Sequence, residues 1–215
     1  MKKIDFGKWG RLRFQKADLS KIDDNLLLLN VYLTQGITLL LALGLLFVQG
    51  RLRASLALPA GPEPWLWGAG FAALVLAADG LLSRWVSEEA TDDGGINERL
   101  FRRRPIWHIA LLCFVVAVCE ELLFRGAVQH WLGPYWTSIL FAAMHVRYLK
   151  HWLMTGIVFS VSYGLGWIAI RTGTLWTPIA AHFLIDLAMG LIIRYRRKEN
   201  RDESANESDA DGDGS

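Results

Sequence analysis

Apolar residues in this chain fall into long runs broken by short polar stretches, the pattern of helices that cross a membrane rather than of alternating strands. Residues 26–48 are apolar apart from Asn30, Tyr32, Thr34, Gln35 and Thr38, enough to cross a hydrocarbon core of about 30 Å. A loop containing Pro and Gly follows, and residues 65–85 form a second run with a tryptophan at each end, as at membrane interfaces. The third run starts at Pro105, a favoured first helical position. It is expected to reach about residue 130 and to stop at Gly133 and Pro134. Residues 135–146 are predicted as a shorter fourth span, 152–170 as a fifth and 175–193 as a sixth. Glycines at 156, 164 and 166 let neighbouring helices approach the fifth closely.

The expected fold class is therefore all-α, a polytopic transmembrane helical bundle of about six spans. Its organisation reads as a basic segment at 1–25, two spans without specific residues at 26–86, a polar loop at 87–104, a core of spans at 105–194 and an acidic tail at 195–215. From Glu199 onward the tail is mainly Asp, Glu, Ser, Asn and Gly without apolar periodicity and is expected to be disordered.

Composition agrees with a membrane protein whose charges sit in loops and tails: 53% of the 215 residues are hydrophobic and mean hydropathy is +0.26, yet 20% are charged. The net charge of +2 conceals a polarity, because the last 17 residues hold seven acids and one base. Of the 23 Lys and Arg, 19 lie before the first span, at the inner end of the second (Arg84) or between it and the third, between the fourth and fifth, or after the sixth. The positive-inside rule then predicts cytoplasmic N- and C-termini and an even number of spans. Residues 1–25 lack the apolar core and cleavage site of a removable signal peptide and are expected to stay attached. Cys113 and Cys119, six apart in one apolar run, exclude a secreted disulfide framework and read as buried thiols.

The candidate chemistry starts at CEELLFRG, residues 119–126, where two glutamates and an arginine end an apolar run. A charge at that depth costs about 2.5–3.5 kcal/mol on insertion scales, so an intramembrane carboxylate pair points to function. Glu121 and Arg125 are four apart and share a helix face, so they can pair. Glu120 points about 100° away and needs a different partner. Elsewhere in the spans, Phe141 and His145 are four apart, as are His182 and Asp186. These groups are expected to face one another, since each needs a polar partner in lipid. His108 and His130 near helix ends, His151 in a turn and Asp79 at the inner end of the second span read as interfacial.

The ordered set EExxxR (Glu120, Glu121, Arg125), FxxxH (Phe141, His145) and HxxxD (His182, Asp186), on successive apolar segments from about residue 103 to 194, resembles the CPBP family of intramembrane proteases, also called Abi or type II CAAX-prenyl endopeptidases. The resemblance implies glutamate-dependent peptide hydrolysis inside the membrane, with no metal or other cofactor. It implies that Glu120 and His145 activate a water and that His182 with Asp186 stabilises the oxyanion, while Glu121, Arg125 and Phe141 support them. It also implies an integral, multi-pass protein of a prokaryotic plasma membrane, acting on a membrane-associated peptide or protein and not on nucleic acid. Pairing of Glu121 with Arg125 leaves Glu120 as the free base. Many relatives have Asn where Asp186 stands; an ionised aspartate repels an oxyanion, so Asp186 is either protonated or acts by orienting His182.

Two other readings stand beside this one. Glu120, Glu121, His145, His182 and Asp186 suit zinc by ligand type, although HExxH is absent and Arg125 lessens the need for a cation. The same polar core also suits a non-catalytic membrane-binding or bacteriocin-immunity protein. Counting rise per residue puts Glu120 about 22 Å from the cytoplasmic end of its span, His145 about 15 Å deep and His182 about 10 Å from the outer end. Water and substrate are therefore expected to enter from the extracytoplasmic side.

Overall fold

The computed structural model describes residues 23–85, 95–146 and 151–212, with side chains as far as residue 195. The basic segment before residue 23, the first half of the polar loop and the RYLK turn lie outside these residues. The protein is an all-helical, multi-pass membrane bundle, with no strand among the described residues. Helices α1 (Asp24–Val48), α3 (Glu63–Leu82), α7 (Trp152–Thr172) and α8 (Trp176–Gly212) follow the first, second, fifth and sixth apolar runs. The short helices α2 (Leu52–Leu56) and α4 (Ile96–Phe101) sit in the connections.

The third and fourth runs differ from expectation. They form one helical stretch, Ile106–Met144, so among the described residues five helices rather than six are long and apolar enough to cross a membrane. The stretch consists of α5 (Ile106–Glu121), a π-helical segment (Leu122–Val128) and α6 (Gln129–Met144). Gly133, at φ 70 and ψ 172, breaks the helical path inside α6, a conformation glycine adopts without a side-chain penalty. Pro134 follows as the opening residue of the next turn, where its missing N–H is no loss. α8 also differs: it continues to Gly212 through the segment predicted to be disordered. A packed span supplies the costly helix nucleus, after which each added residue gains a backbone hydrogen bond.

The π segment is where the bundle is tied together. Widening to an i→i+5 pattern takes carbonyls out of the usual ladder, and α1 supplies replacement donors. Gly50 (φ 67) ends α1 in a left-handed turn, with the Arg51 N–H returning to Leu46 O at 2.9 Å. That turn aims Arg51 Nη1 at Gly126 O (2.7 Å), while Gln49 Nε2 donates to Ala127 O (3.0 Å). Gly126 itself permits the approach: a Cβ there lies 3.0 Å from Leu175 Cδ1 and 3.5 Å from Leu46. Around it Ala42, Leu46, Leu122, Phe124, Ala127 and Ile179 form the main apolar core.

Glycine also sets the spacing of α3. A Cβ on Gly68 falls 2.9 Å from the backbone oxygen of Thr177, so α3 and α8 touch at a distance only glycine allows. At one end of the bundle Arg99 Nε donates to Asp24 Oδ1 (2.8 Å), and Arg194 of α8 donates to the Arg104 carbonyl. At the other, Trp176 Nε1 reaches Leu56 O (3.4 Å) and its ring packs on Trp65. Arg51→Ala removes a charged donor to the Gly126 carbonyl, which is expected to cost about 1.5–3 kcal/mol. Detergent-solubilised protein should then unfold at a lower temperature, with the exposed Arg53→Ala as a control that leaves it unchanged.

Candidate active site

Glu121 is the most deeply placed of the predicted residues, with no exposed surface. Its Oε2 faces Arg125 Nε at 3.2 Å, the i,i+4 pair read from the sequence, and its Oε1 accepts from His182 Nδ1 at 2.8 Å. Arg125 is buried too, and its Nη2 donates to both the carbonyl and the hydroxyl of Ser162 on α7, each at 3.1 Å. The other ring nitrogen of His182 faces Asp186 Oδ2 at 3.4 Å, one helical turn along α8. Arg125, Glu121, His182 and Asp186 therefore form one alternating chain of basic and acidic groups across the π segment and α8.

Phe141 joins this chain to His145. Its ring packs on Phe124 (4.8 Å between centroids), on His145 (4.5 Å) and on His182 (6.5 Å), with the Arg125 guanidinium 4.8 Å from its centre. An aromatic face favours a cation above it. His145 lies just beyond α6, at φ −83 and ψ 55, outside helical geometry. Its Nδ1 lies 2.8 Å from the Phe141 carbonyl. Since a carbonyl only accepts, Nδ1 carries the hydrogen and Nε2 is the basic nitrogen.

Glu120 is half-buried and meets a residue that sequence reasoning passed over: Gln35 of α1 donates from Nε2 to Glu120 Oε1 at 3.1 Å. The available signal was an amide in the middle of an apolar span, which needs a polar partner. The other interfacial assignments divide. His108 bonds Tyr32 Oη (3.0 Å) and stacks between Tyr32 and Trp107, apart from the glutamates. Asp79, by contrast, lines the same cleft as Glu120.

That cleft has a volume of about 2210 Å³, and Glu120, Phe141, His145, His182 and Asp186 all line it. It extends past Ser83, Asn97 and Glu98 to the end of the bundle that carries α4. These lining residues lie at the end opposite the opening expected from the depth count. The depth count treated the helices as upright rods and took no account of how they pack against one another. Among the described residues, no group of three or more His, Cys, Asp or Glu side chains has the geometry to hold a metal ion. Cys113 and Cys119 are buried thiols, as read from the sequence.

Removing either member of a buried ion pair strands the other charge, at a cost of about 3–5 kcal/mol. Glu121→Ala and Arg125→Ala are each expected to lower stability by that amount in a detergent unfolding assay. Arg125→Lys should recover only part of it, since one ammonium cannot replace a guanidinium that faces both Glu121 and Ser162.

Comparison with known proteins gives two matches. A family model described as Type II CAAX prenyl endopeptidase Rce1-like matches residues 102–188. Over 139 residues, 64% of this chain and 74% of the relative, the chain is 40% identical to an uncharacterized protein of Bacillus subtilis (strain 168), YpbD. No solved structure matches the chain.

Proposed function

The chain belongs to the Rce1-like family of type II CAAX prenyl endopeptidases, and from that premise we propose that it is an intramembrane endopeptidase using a water activated by Glu120 and His145. The observation that carries this reading is that Glu120, His145, His182 and Asp186, drawn from three separate helical segments, line a single cleft. Glu120 is held there by a neutral amide, while the cation of the site is spent on Glu121. In this reading the carboxylate of Glu120 and the imidazole of His145 accept from the attacking water.

In the reaction, the water oxygen attacks the scissile carbonyl carbon as Glu120 takes a proton from it. The carbonyl π electrons move to oxygen, giving a tetrahedral oxyanion. Collapse breaks the C–N bond, and the proton held by Glu120 passes to the departing amine. His182 is fixed by Glu121 through Nδ1; with a proton also on Nε2 it offers a cationic donor to the oxyanion. Asp186 sits against that nitrogen, which supports a role as the partner that orients His182, not as an oxyanion donor itself.

The cleft opens at the bundle end carrying Arg99, Arg102, Arg103 and Arg104, the end that the positive-inside count assigns to the cytoplasm. The proposed substrate is a membrane-associated peptide or protein reaching the site from that face of a prokaryotic plasma membrane. Glu120→Gln should lower turnover about 10²- to 10⁴-fold, the usual contribution of a general base. Comparing membrane peptides from wild-type and Glu120→Gln cells at equal protein levels should show the products vanish and the intact substrate accumulate. An unchanged peptide pattern with function retained would favour the non-catalytic reading. The direction of entry has its own check in Ser160→Cys, an exposed cleft position, with Cys113 and Cys119 replaced by Ala. A membrane-impermeant maleimide is expected to label it from the cytoplasmic face of oriented vesicles, and labelling from the outer face alone would reverse the assignment.

A further inference from the structure

Helix α1 lies outside the family match at 102–188, yet it supplies the hydrogen-bond donor to the proposed base. Gln35 sits midway along α1 and is only 6% exposed. Its Nε2 donates to Glu120 Oε1 at 3.1 Å across 85 residues of sequence, and its own Oε1 is buried with no hydrogen-bond partner. A buried carbonyl oxygen left without a donor costs about 1–3 kcal/mol, so its retention beside a reactive carboxyl calls for a reason.

We propose that Gln35 is a positioning residue for Glu120: it fixes one carboxyl oxygen so that the other faces the attacking water, and it keeps hold when Glu120 takes the water's proton. This rests on the reading of Glu120 as the base. Glutamine suits the task because its amide has both a donor and an acceptor. The NH₂ donates to a carboxylate; turned over about its last torsion, the unpartnered Oε1 accepts from a carboxylic acid. A Lys or Arg in its place would bind Glu120 as Arg125 binds Glu121, holding the carboxylate but occupying it with a cation. A Leu or Met would leave it unaligned. The other ionisable groups around Glu120 are already engaged: Glu121 and Arg125 with each other, and His182 with Glu121 and Asp186, while His145 is fixed by the Phe141 carbonyl. Among these contacts, the amide from α1 is the one that reaches the Glu120 carboxyl itself.

The test is Gln35→Met, which keeps length and flexibility without hydrogen-bonding groups of comparable strength. The probe is an internally quenched farnesylated peptide ending in a CAAX box, presented in detergent micelles to full-length protein. The expected result is a fall in kcat of about 10- to 100-fold with KM within about twofold of wild type, because the interaction acts on the reacting water and not on substrate binding. Unchanged kcat, a change confined to KM, or a loss that only tracks the folded fraction would overturn the proposal. If wild-type protein does not cleave this peptide, that outcome bears on the substrate and peptidase reading and not on Gln35, and the contact is judged by unfolding temperature. Gln35→Met should then lower it in wild type but not in a Glu120→Leu background. Equal shifts in both backgrounds would overturn the role of Gln35 as the partner of Glu120.

Discussion

Glu121 has no exposed surface, and a carboxylate so placed in a membrane helix is tolerable only because Arg125 and His182 meet it from two sides. Satisfying those partners recruits the rest of the site. The second nitrogen of His182 faces Asp186 along α8, the guanidinium of Arg125 reaches Ser162 on α7, and Phe141 of α6 lies across both His182 and Arg125. Four segments are therefore located by one buried charge. Such a pair need not add net stability, since desolvation offsets much of the attraction. What it fixes is geometry, because each alternative packing of these helices strands a charge in lipid.

The division of labour between the two adjacent glutamates follows from this. Glu121 faces a cation and an imidazole inside the bundle, whereas Glu120, turned to the cleft, faces an amide. A neutral partner aligns a carboxylate without competing for its charge, so two neighbouring residues of identical chemistry have opposite surroundings. The positions of both are set by α5, but the identity of their partners is set by α1, α8 and the π segment.

Much of this was legible in the chain. The apolar runs located α1, α3 and α7 to within a few residues and the start of α8 to one, and i,i+4 spacing gave the Glu121–Arg125 and His182–Asp186 pairs directly. Spacing along a helix fixes which residues share a face, but not which way that face turns in the bundle. That is why the Glu121–His182 bond went unseen, and why the first two spans were read as unspecific although Gln35, Gln49 and Arg51 all donate to the core. Direction of access was illegible for a similar reason. Depth along a single rod says nothing about how neighbouring helices splay, and here the cleft is lined as far as the end that carries α4. The single long helical stretch was missed because Gly133 and Pro134 usually end helices, whereas here one bends the path and the other restarts it.

The π segment also makes this chain sensitive to length. A π turn is an α-helix carrying one residue too many, and the surplus between Leu122 and Val128 is accommodated only because Gln49 and Arg51 satisfy the displaced carbonyls. Losing one residue there other than Arg125 restores ordinary pitch and rotates everything downstream by about 100° relative to Glu120 and Glu121. Phe141 and His145 would leave the cleft together, with every functional side chain still present. The stretch thus acts as a phase-setting insertion: its residue count, as much as its residue identities, brings the two halves of the site into register.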